Sequence, residues 1–160
     1  MSKNLYIVPH DFTVVGDSAL KYALHLGKYV HTEIQLLHLA NSKAEAIKAN
    51  QKLDEVIARF NAPEGITISK LVREGSIFED IGKIAHKQGA QLIIMGTHGA
   101  TGFQKLFGSN AMKVITSSEV PFLIVQKDTV PTEINNIIVP IDLTKESLQI
   151  VNNAGDLANM

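Results

Sequence analysis

Short apolar runs alternate with amphipathic stretches along the first 127 residues, and that alternation leaves few folds open to the chain. Leu5-Tyr6-Ile7-Val8 is an unbroken apolar run closed by Pro9, which reads as a buried strand. From Val15 to Val30, residues Ala19, Leu20, Ala23, Leu26 and Val30 recur at three- and four-residue steps, the spacing of a helix packed on one side. Ile34 to Leu39 is a second apolar strand. Asn41 to Phe60 reads as a polar helix with Ala46, Leu53, Val56, Ile57 and Phe60 as its apolar stripe, ended by Asn61-Ala62-Pro63-Glu64-Gly65. Ile66, Ile68 and Val72 alternate with more polar neighbours, as expected of a strand at a sheet edge.

After Gly75, Ser76 and Glu79 have the spacing of a capping box opening a helix that runs to about Gln88. Gln91 to Met95 predicts a central strand, Ser109 to Thr116 a further helix, and Phe122 to Gln126 a last strand. Strand and helix alternating in this way require a parallel sheet with right-handed crossovers. The expected fold is therefore α/β: an open, doubly wound, five-stranded parallel sheet with helices on both faces.

Composition narrows the function. The chain has 160 residues with 15 Lys+Arg and 16 Asp+Glu, so no charge excess draws it to nucleic acid or an anionic membrane. It has no cysteine, which excludes disulfides, thiolate nucleophiles and Cys-based zinc sites. No apolar run reaches the roughly 18 residues of a membrane span, and the N-terminus lacks the apolar core of a signal peptide. The expected setting is cytoplasmic.

Residues 135–160 echo the N-terminus at a constant offset of 131. Asn135, Ile138-Val139-Pro140, Asp142 and Thr144 stand where Asn4, Ile7-Val8-Pro9, Asp11 and Thr13 stand; Val151, Ala154 and Leu157 match Leu20, Ala23 and Leu26. We read residues 1–127 as one domain, 128–134 as a linker, and 135–160 as an incomplete second repeat, a strand plus a helix. A lone unit of that kind cannot bury its own apolar face.

The segment with chemical potential follows the fourth strand: Gly96-Thr97-His98-Gly99-Ala100-Thr101-Gly102, then Gly108-Ser109-Asn110 opening a helix. Glycines let main-chain N–H groups approach a phosphate, and a helix N-terminus offers unpaired donors. No acidic residue occurs between Asp80 and Glu119, while Lys83, Lys87, Lys105 and Lys113 do. A glycine-rich turn with an ordinary serine cap accounts for the pattern equally well. Neither a Walker A triplet nor the G-x-G-x-x-G dinucleotide fingerprint is present.

Three separated segments carry a resemblance: Val8-Pro9-His10-Asp11-Phe12-Thr13, Leu36-Leu37-His38-Leu39, and Met95-Gly96-Thr97-His98-Gly99 through Gly108-Ser109. In this order they resemble the universal stress protein family, over nearly all of residues 1–127, and the echo resembles the start of a second such domain. The resemblance implies a Rossmann-like sheet of the adenine-nucleotide α-hydrolase type, dimerisation through the last strand and, in one branch marked by G-x2-G-x9-G-[ST], ATP binding, with or without Mg²⁺. Here only eight residues separate Gly99 from Gly108, one fewer than that pattern.

Carried over residue by residue, the resemblance implies that Asp11 faces the adenine or ribose, with Pro9 and His10 beside it, and that Leu39 offers its main chain to the base. Gly96 and Gly99, with Met95 before them, would line the ribose and α-phosphate. Gly108, Ser109 and Asn110 would hold the outer phosphates. Other readings stay open. Asp11 serves equally to close an Asx turn or cap the next helix. Lys105 is a phosphate partner or a solvated lysine. His10, His38 and His98 with Asp11 could gather a metal, although nothing in their spacing fixes them as ligands and no metal is expected. Phe103 and Phe107 read as packing anchors. Beyond Asp11, His98 and Ser109 no general base or nucleophile stands out, so an enzyme is the weakest reading. The chain is thus expected to be a nucleotide-binding regulatory module or, with its shortened loop, a module of the same fold acting through protein partners. A homodimer or a tandem partner domain is expected at the apolar strand Phe122–Gln126.

Overall fold

The computed structural model describes residues 4–97, 115, 118–142 and 145–159. Its elements are β1 (Asn4–Pro9), α1 (Val14–Gly27), β2 (Thr32–Ala40), α2 (Lys43–Arg59), β3 (Thr67–Glu74), α3 (Ile77–Gln88), β4 (Leu92–Thr97), β5 (Phe122–Gln126) and α4 (Lys145–Ala158). The five strands form one sheet in the order β3–β2–β1–β4–β5, and every pairing is parallel.

β1 lies at the centre because it can: Tyr6, Ile7 and Val8 are wholly buried, so neither of its faces needs water. Tyr6 stands opposite Ile34 on one side and Leu92 on the other. On one face Ile7, Leu37 and Ile93 pack with Ile81 and Ala85 of α3 and with Val120. The opposite face is covered by α1 against β1 and β4 and by α2 against β2 and β3. Their apolar stripes, Leu20 and Ala23 in α1 and Ala49, Leu53 and Val56 in α2, are buried there. Right-handed crossovers put α1 and α2 on one face and α3 on the other.

The edges differ in chemistry. β3 carries Lys70, Arg73 and Glu74, the charges that discourage further pairing. β5 is apolar from Phe122 to Val125 and only part-buried over its first three residues.

Two local expectations need correcting. The first helix stops at Gly27 and not at Val30: the Lys28 N–H already turns back to His25 and Leu26 carbonyls, and Tyr29 is exposed. Ser76 holds the N-cap position of α3, yet its side chain makes no capping hydrogen bond. The carboxylate that accepts the Ser76 N–H is Asp80, at 2.9 Å, one residue beyond Glu79. The helix expected from Ser109 to Thr116 lies outside the described residues except for Ile115, which is helical.

The chain divides into two units, Met1–Val130 and Pro131–Met160. In the second, α4 forms, residues 131–142 belong to no strand among the described residues, and Ile138 is 92% exposed. A strand is defined by its partners, and this unit supplies none. Ser147 Oγ donates to Asp142 Oδ1 at 2.6 Å where α4 begins. At the offset of 131, Ile141 and Leu148 stand where His10 and Asp17 stand, so a polar pair in the first unit is matched by an apolar pair in the second.

Candidate functional site

In this strand order the connections leaving β1 and β4 diverge, one towards β2 and the other towards β5. The carboxyl ends of β1 and β4 therefore flank a crevice, the place where sheets of this architecture hold ligands. The segment His10–Thr13 leaves β1 on one side of it, and Gly96 and Thr97 end β4 on the other.

His10 is buried and fully engaged. Its N–H donates to the Leu37 carbonyl at 2.9 Å. Ring Nδ1 accepts the Phe12 N–H at 3.1 Å, which leaves the proton of the neutral ring on Nε2, and Nε2 donates to Asp17 Oδ1 at 3.2 Å. Burial pushes the His10 imidazole below its ordinary value, with the Asp17 carboxylate opposing part of that shift. Arg59, at the end of α2, donates to both Asp17 oxygens at 3.0 and 3.2 Å. A chain of charge thus runs from the exposed Arg59 through Asp17 to the buried His10. The ring also rests on Gly16, where an added Cβ would meet it at 3.0 Å. Pro9 is buried directly before it. His10 supports the end of β1 and offers a ligand no unpartnered polar atom.

Asp11 is exposed, and it closes a turn. Its Oδ1 accepts from both the N–H and the hydroxyl of Thr13, at 3.1 and 2.6 Å. Thr13 in turn caps α1, accepting the Val15 N–H at 3.3 Å. The Asx-turn reading of Asp11 is realised here, and its carboxylate remains at the crevice surface. Between them Phe12 adopts a left-handed φ of 65°. Its ring lies 4.6 Å from that of His38, and Lys52 Nζ of α2 sits 5.2 Å from its centroid.

Leu39 lies beyond the last β1 residue in the ladder, because Pro9 pairs with Leu37 while β2 runs on to Ala40. Its main-chain groups point to the same side as those of Leu37, past the end of β1 into the crevice. Its side chain packs against the core. Met95 and Gly96 pair with Ile124 and Val125. Gly96 is glycine for packing: a Cβ there would fall 2.2 Å from the Val15 carbonyl oxygen. Gly99, Gly108, Ser109 and Asn110, with Lys105, Phe103, Phe107 and His98, lie outside the described residues. Among the described residues no three His, Asp or Glu side chains gather as a metal site, and no helix is long and apolar enough to cross a membrane.

The family model of the universal stress proteins matches residues 6–126, from within β1 to the end of β5. The chain belongs to the universal stress protein family. A curated member, Universal stress protein MJ0531 of Methanocaldococcus jannaschii, is 28% identical over 78% of this chain and 85% of its own length. The solved structure of protein MJ0577 from the same organism superposes with a TM-score of 0.55 at 26% identity, covering 81% of this chain and all of that one. Two further universal stress protein structures share the fold at lower identity. One is in complex with cAMP (18% identity, TM-score 0.57, 78% of this chain and 98% of that one). The other, from Arabidopsis thaliana, has AMP bound (14%, TM-score 0.55, 78% and 92%).

Sequence reasoning on this universal stress protein did not find Asp17, Arg59, Phe12 or Lys52. The three charged residues lie on helices, and the Arg59–Asp17 and Lys52–Phe12 contacts join residues far apart in the chain. Phe12 stood inside a recognised segment without an assigned role.

Proposed function

We propose that this universal stress protein is a regulatory module that binds an adenine nucleotide in the crevice between the ends of β1 and β4. The observation that supports this reading is the sheet order, with Asp11 just past the end of β1 on one side of the switch point and Gly96 at the end of β4 on the other. Family members solved with AMP and with cAMP agree with an adenine nucleotide as the class of ligand.

The residues present suit such a ligand in part. Leu39 offers main-chain groups for a base edge, and the Asp11 carboxylate, exposed while anchored by Thr13, suits a ribose hydroxyl. Pro9, His10 and Met95 shape the walls. Gly96 serves the packing of α1, so close approach to phosphate falls to Gly99, Gly108, Ser109 and Asn110 in this reading. ATP, carried with Mg²⁺, is the fullest ligand that set of donors would take.

Calorimetric titration with ATP and Mg²⁺ tests the reading. Saturable heat at or below millimolar ATP is expected, and Gly108→Leu abolishes it by filling the approach to the phosphates. No heat at millimolar ATP, AMP or cAMP overturns the reading.

The loop one residue short of the ATP-binding pattern favours a second reading, a module that keeps the fold and acts through protein partners without nucleotide. In either case we propose that β5 is the pairing edge, since it is apolar where β3 is charged. Light scattering is expected to give a dimer, and a monomer at micromolar concentration removes this part. We also propose that residues 135–160 are an incomplete second repeat of the same kind, of which the helix α4 is formed here.

A further inference from the structure

His38 lies near the end of β2, next to Leu39. Its Nδ1 faces the His10 carbonyl oxygen at 2.8 Å, so Nδ1 carries the proton of the neutral ring and Nε2 is a bare acceptor. Nε2 is buried and has no hydrogen-bond partner among the described residues. What it meets is another acceptor: Glu45 Oε1 of α2, at 3.7 Å, too far for a hydrogen bond. A lone pair buried against a carboxylate is an arrangement that a single added proton would turn from unfavourable to favourable.

Glu45 is held in place for that exchange. Its Oε2 accepts the Asn41 N–H at 2.8 Å and the Asn41 side-chain amide at 3.2 Å. The main-chain N–H of Asn41 is the chief reason its carboxyl is held below the ordinary range, with His38 a smaller one, so it stays ionised where histidines titrate. Among the described residues, the other charged groups nearby have partners of their own. From the β1–α1 connection come Asp11, tied to Thr13, and His10, whose ring is turned to Asp17. From α2 comes Lys52, over Phe12, the ring that covers His38. From β3, Val72 stands opposite His38, flanked by the exposed Arg73 and Glu74; Arg73 donates to the Val72 carbonyl.

We propose that His38 and Glu45 form a proton-operated latch on the crevice. Protonating Nε2 gives it a donor aimed at Glu45, and the gap closes to a charge-assisted bond of about 2.8 Å. The first turn of α2 is then tied to the end of β2 and, through the His10 carbonyl, to the end of β1. Because Leu39 follows His38, closing the latch fixes the main chain that would receive the base, and nucleotide binds more tightly at acid pH. That last step rests on the reading of the crevice as an adenine-nucleotide site.

Two measurements on the whole chain test the latch. Long-range ¹H–¹⁵N spectra at pH 8 should show His38 protonated on Nδ1 and bare on Nε2, the reverse of His10. Calorimetry with ATP and Mg²⁺ at pH 6 and pH 8 should give an affinity gain at pH 6 that is about two- to fivefold larger in the wild type than in Glu45→Gln. Comparing the two proteins cancels the nucleotide's own titration, and the glutamine keeps an oxygen for Asn41. His38 protonated on Nε2 at pH 8, or an equal gain in both proteins, overturns the latch. A His38 Nε2 resonance at pH 6 that responds to Glu45→Gln in a protein binding no nucleotide at either pH supports the latch and overturns the nucleotide reading alone.

Discussion

The carbonyl oxygen of Val15 fills the space that a side chain on Gly96 would need: a Cβ built there falls 2.2 Å from it. A neighbour in the main chain of a buried helix cannot swing aside as a flexible side chain can. The first turn of α1 is thereby seated on the end of β4.

Gly96→Ala should therefore act on the fold before it acts on any ligand. Inserting one methyl into so tight a contact costs about 1–3 kcal/mol. Urea unfolding should show the midpoint falling with an unchanged slope. An alanine variant as stable as the wild type would mean that α1 can withdraw from β4 at no cost.

His10 links stability to acid. Its folded-state affinity for a proton is lowered by burial, so the unfolded chain binds that proton more readily. The contribution is fully present above the ordinary histidine range, near pH 6.5, and is lost as pH falls below it. Asp17 opposes the shift, so Asp17→Asn should deepen the acid loss as well as strip Arg59 of its anion. Chemical unfolding between pH 5 and pH 8 checks both. A profile for His10→Gln as steep as that of the wild type would place the acid sensitivity elsewhere.

Much of this was readable in the residues. β1 and β4 declare themselves because strands buried on both faces become continuous apolar runs, as Tyr6-Ile7-Val8 and Leu92-Ile93-Ile94 do. The edge β3 declares itself by its alternation. What could not be read is what polar side chains do across the chain. Nothing periodic marks Arg59 as the partner of Asp17, 42 residues away, and nothing local says that the acid reaching the Ser76 N–H is Asp80. Gly96 was read as lining a ribose and phosphate or as part of a plain turn; the reason the fold gives, the nearness of Val15, exists only after α1 has docked. The strand expected after Asn135 came from the echo alone, and an echo carries no neighbouring strands with it.

Asp11 combines a turn with a surface carboxylate, and the two uses separate by substitution. Asp11→Asn keeps an oxygen for the Thr13 N–H and hydroxyl, so the unfolding midpoint should move by no more than about 0.5 kcal/mol. If the carboxylate takes a ribose hydroxyl, ATP affinity should fall about tenfold, the loss of a charge-assisted bond. Thr13→Ala is the complementary variant: it removes the cap of α1 and costs about 1 kcal/mol of stability. Parallel calorimetry and unfolding on both variants check the separation, and a binding loss that simply tracks the stability loss would remove Asp11 from the site.

The second unit supplies the last prediction. All five strands of the described sheet lie between Asn4 and Gln126, within the first unit. Within the second unit, Ile138 stands at the position of the fully buried Ile7, yet it is almost wholly exposed. Its neighbours in the echo repeat the inconsistency: Ile141 and Leu148, at the positions of His10 and Asp17, are 59% and 65% exposed. An apolar pair set at the places of a contacting pair suits a docked helix and strand, which requires flanking strands that this unit does not supply. Amides of 135–141 should therefore exchange with solvent at nearly unprotected rates, while those of β1 exchange only on global unfolding. Ending the chain at Val130 should shift the unfolding midpoint of the first unit by no more than about 0.5 kcal/mol. Hydrogen exchange followed by mass spectrometry, with unfolding of the shortened chain, checks both. Strong protection across 135–141 would show that those residues have found a sheet to join.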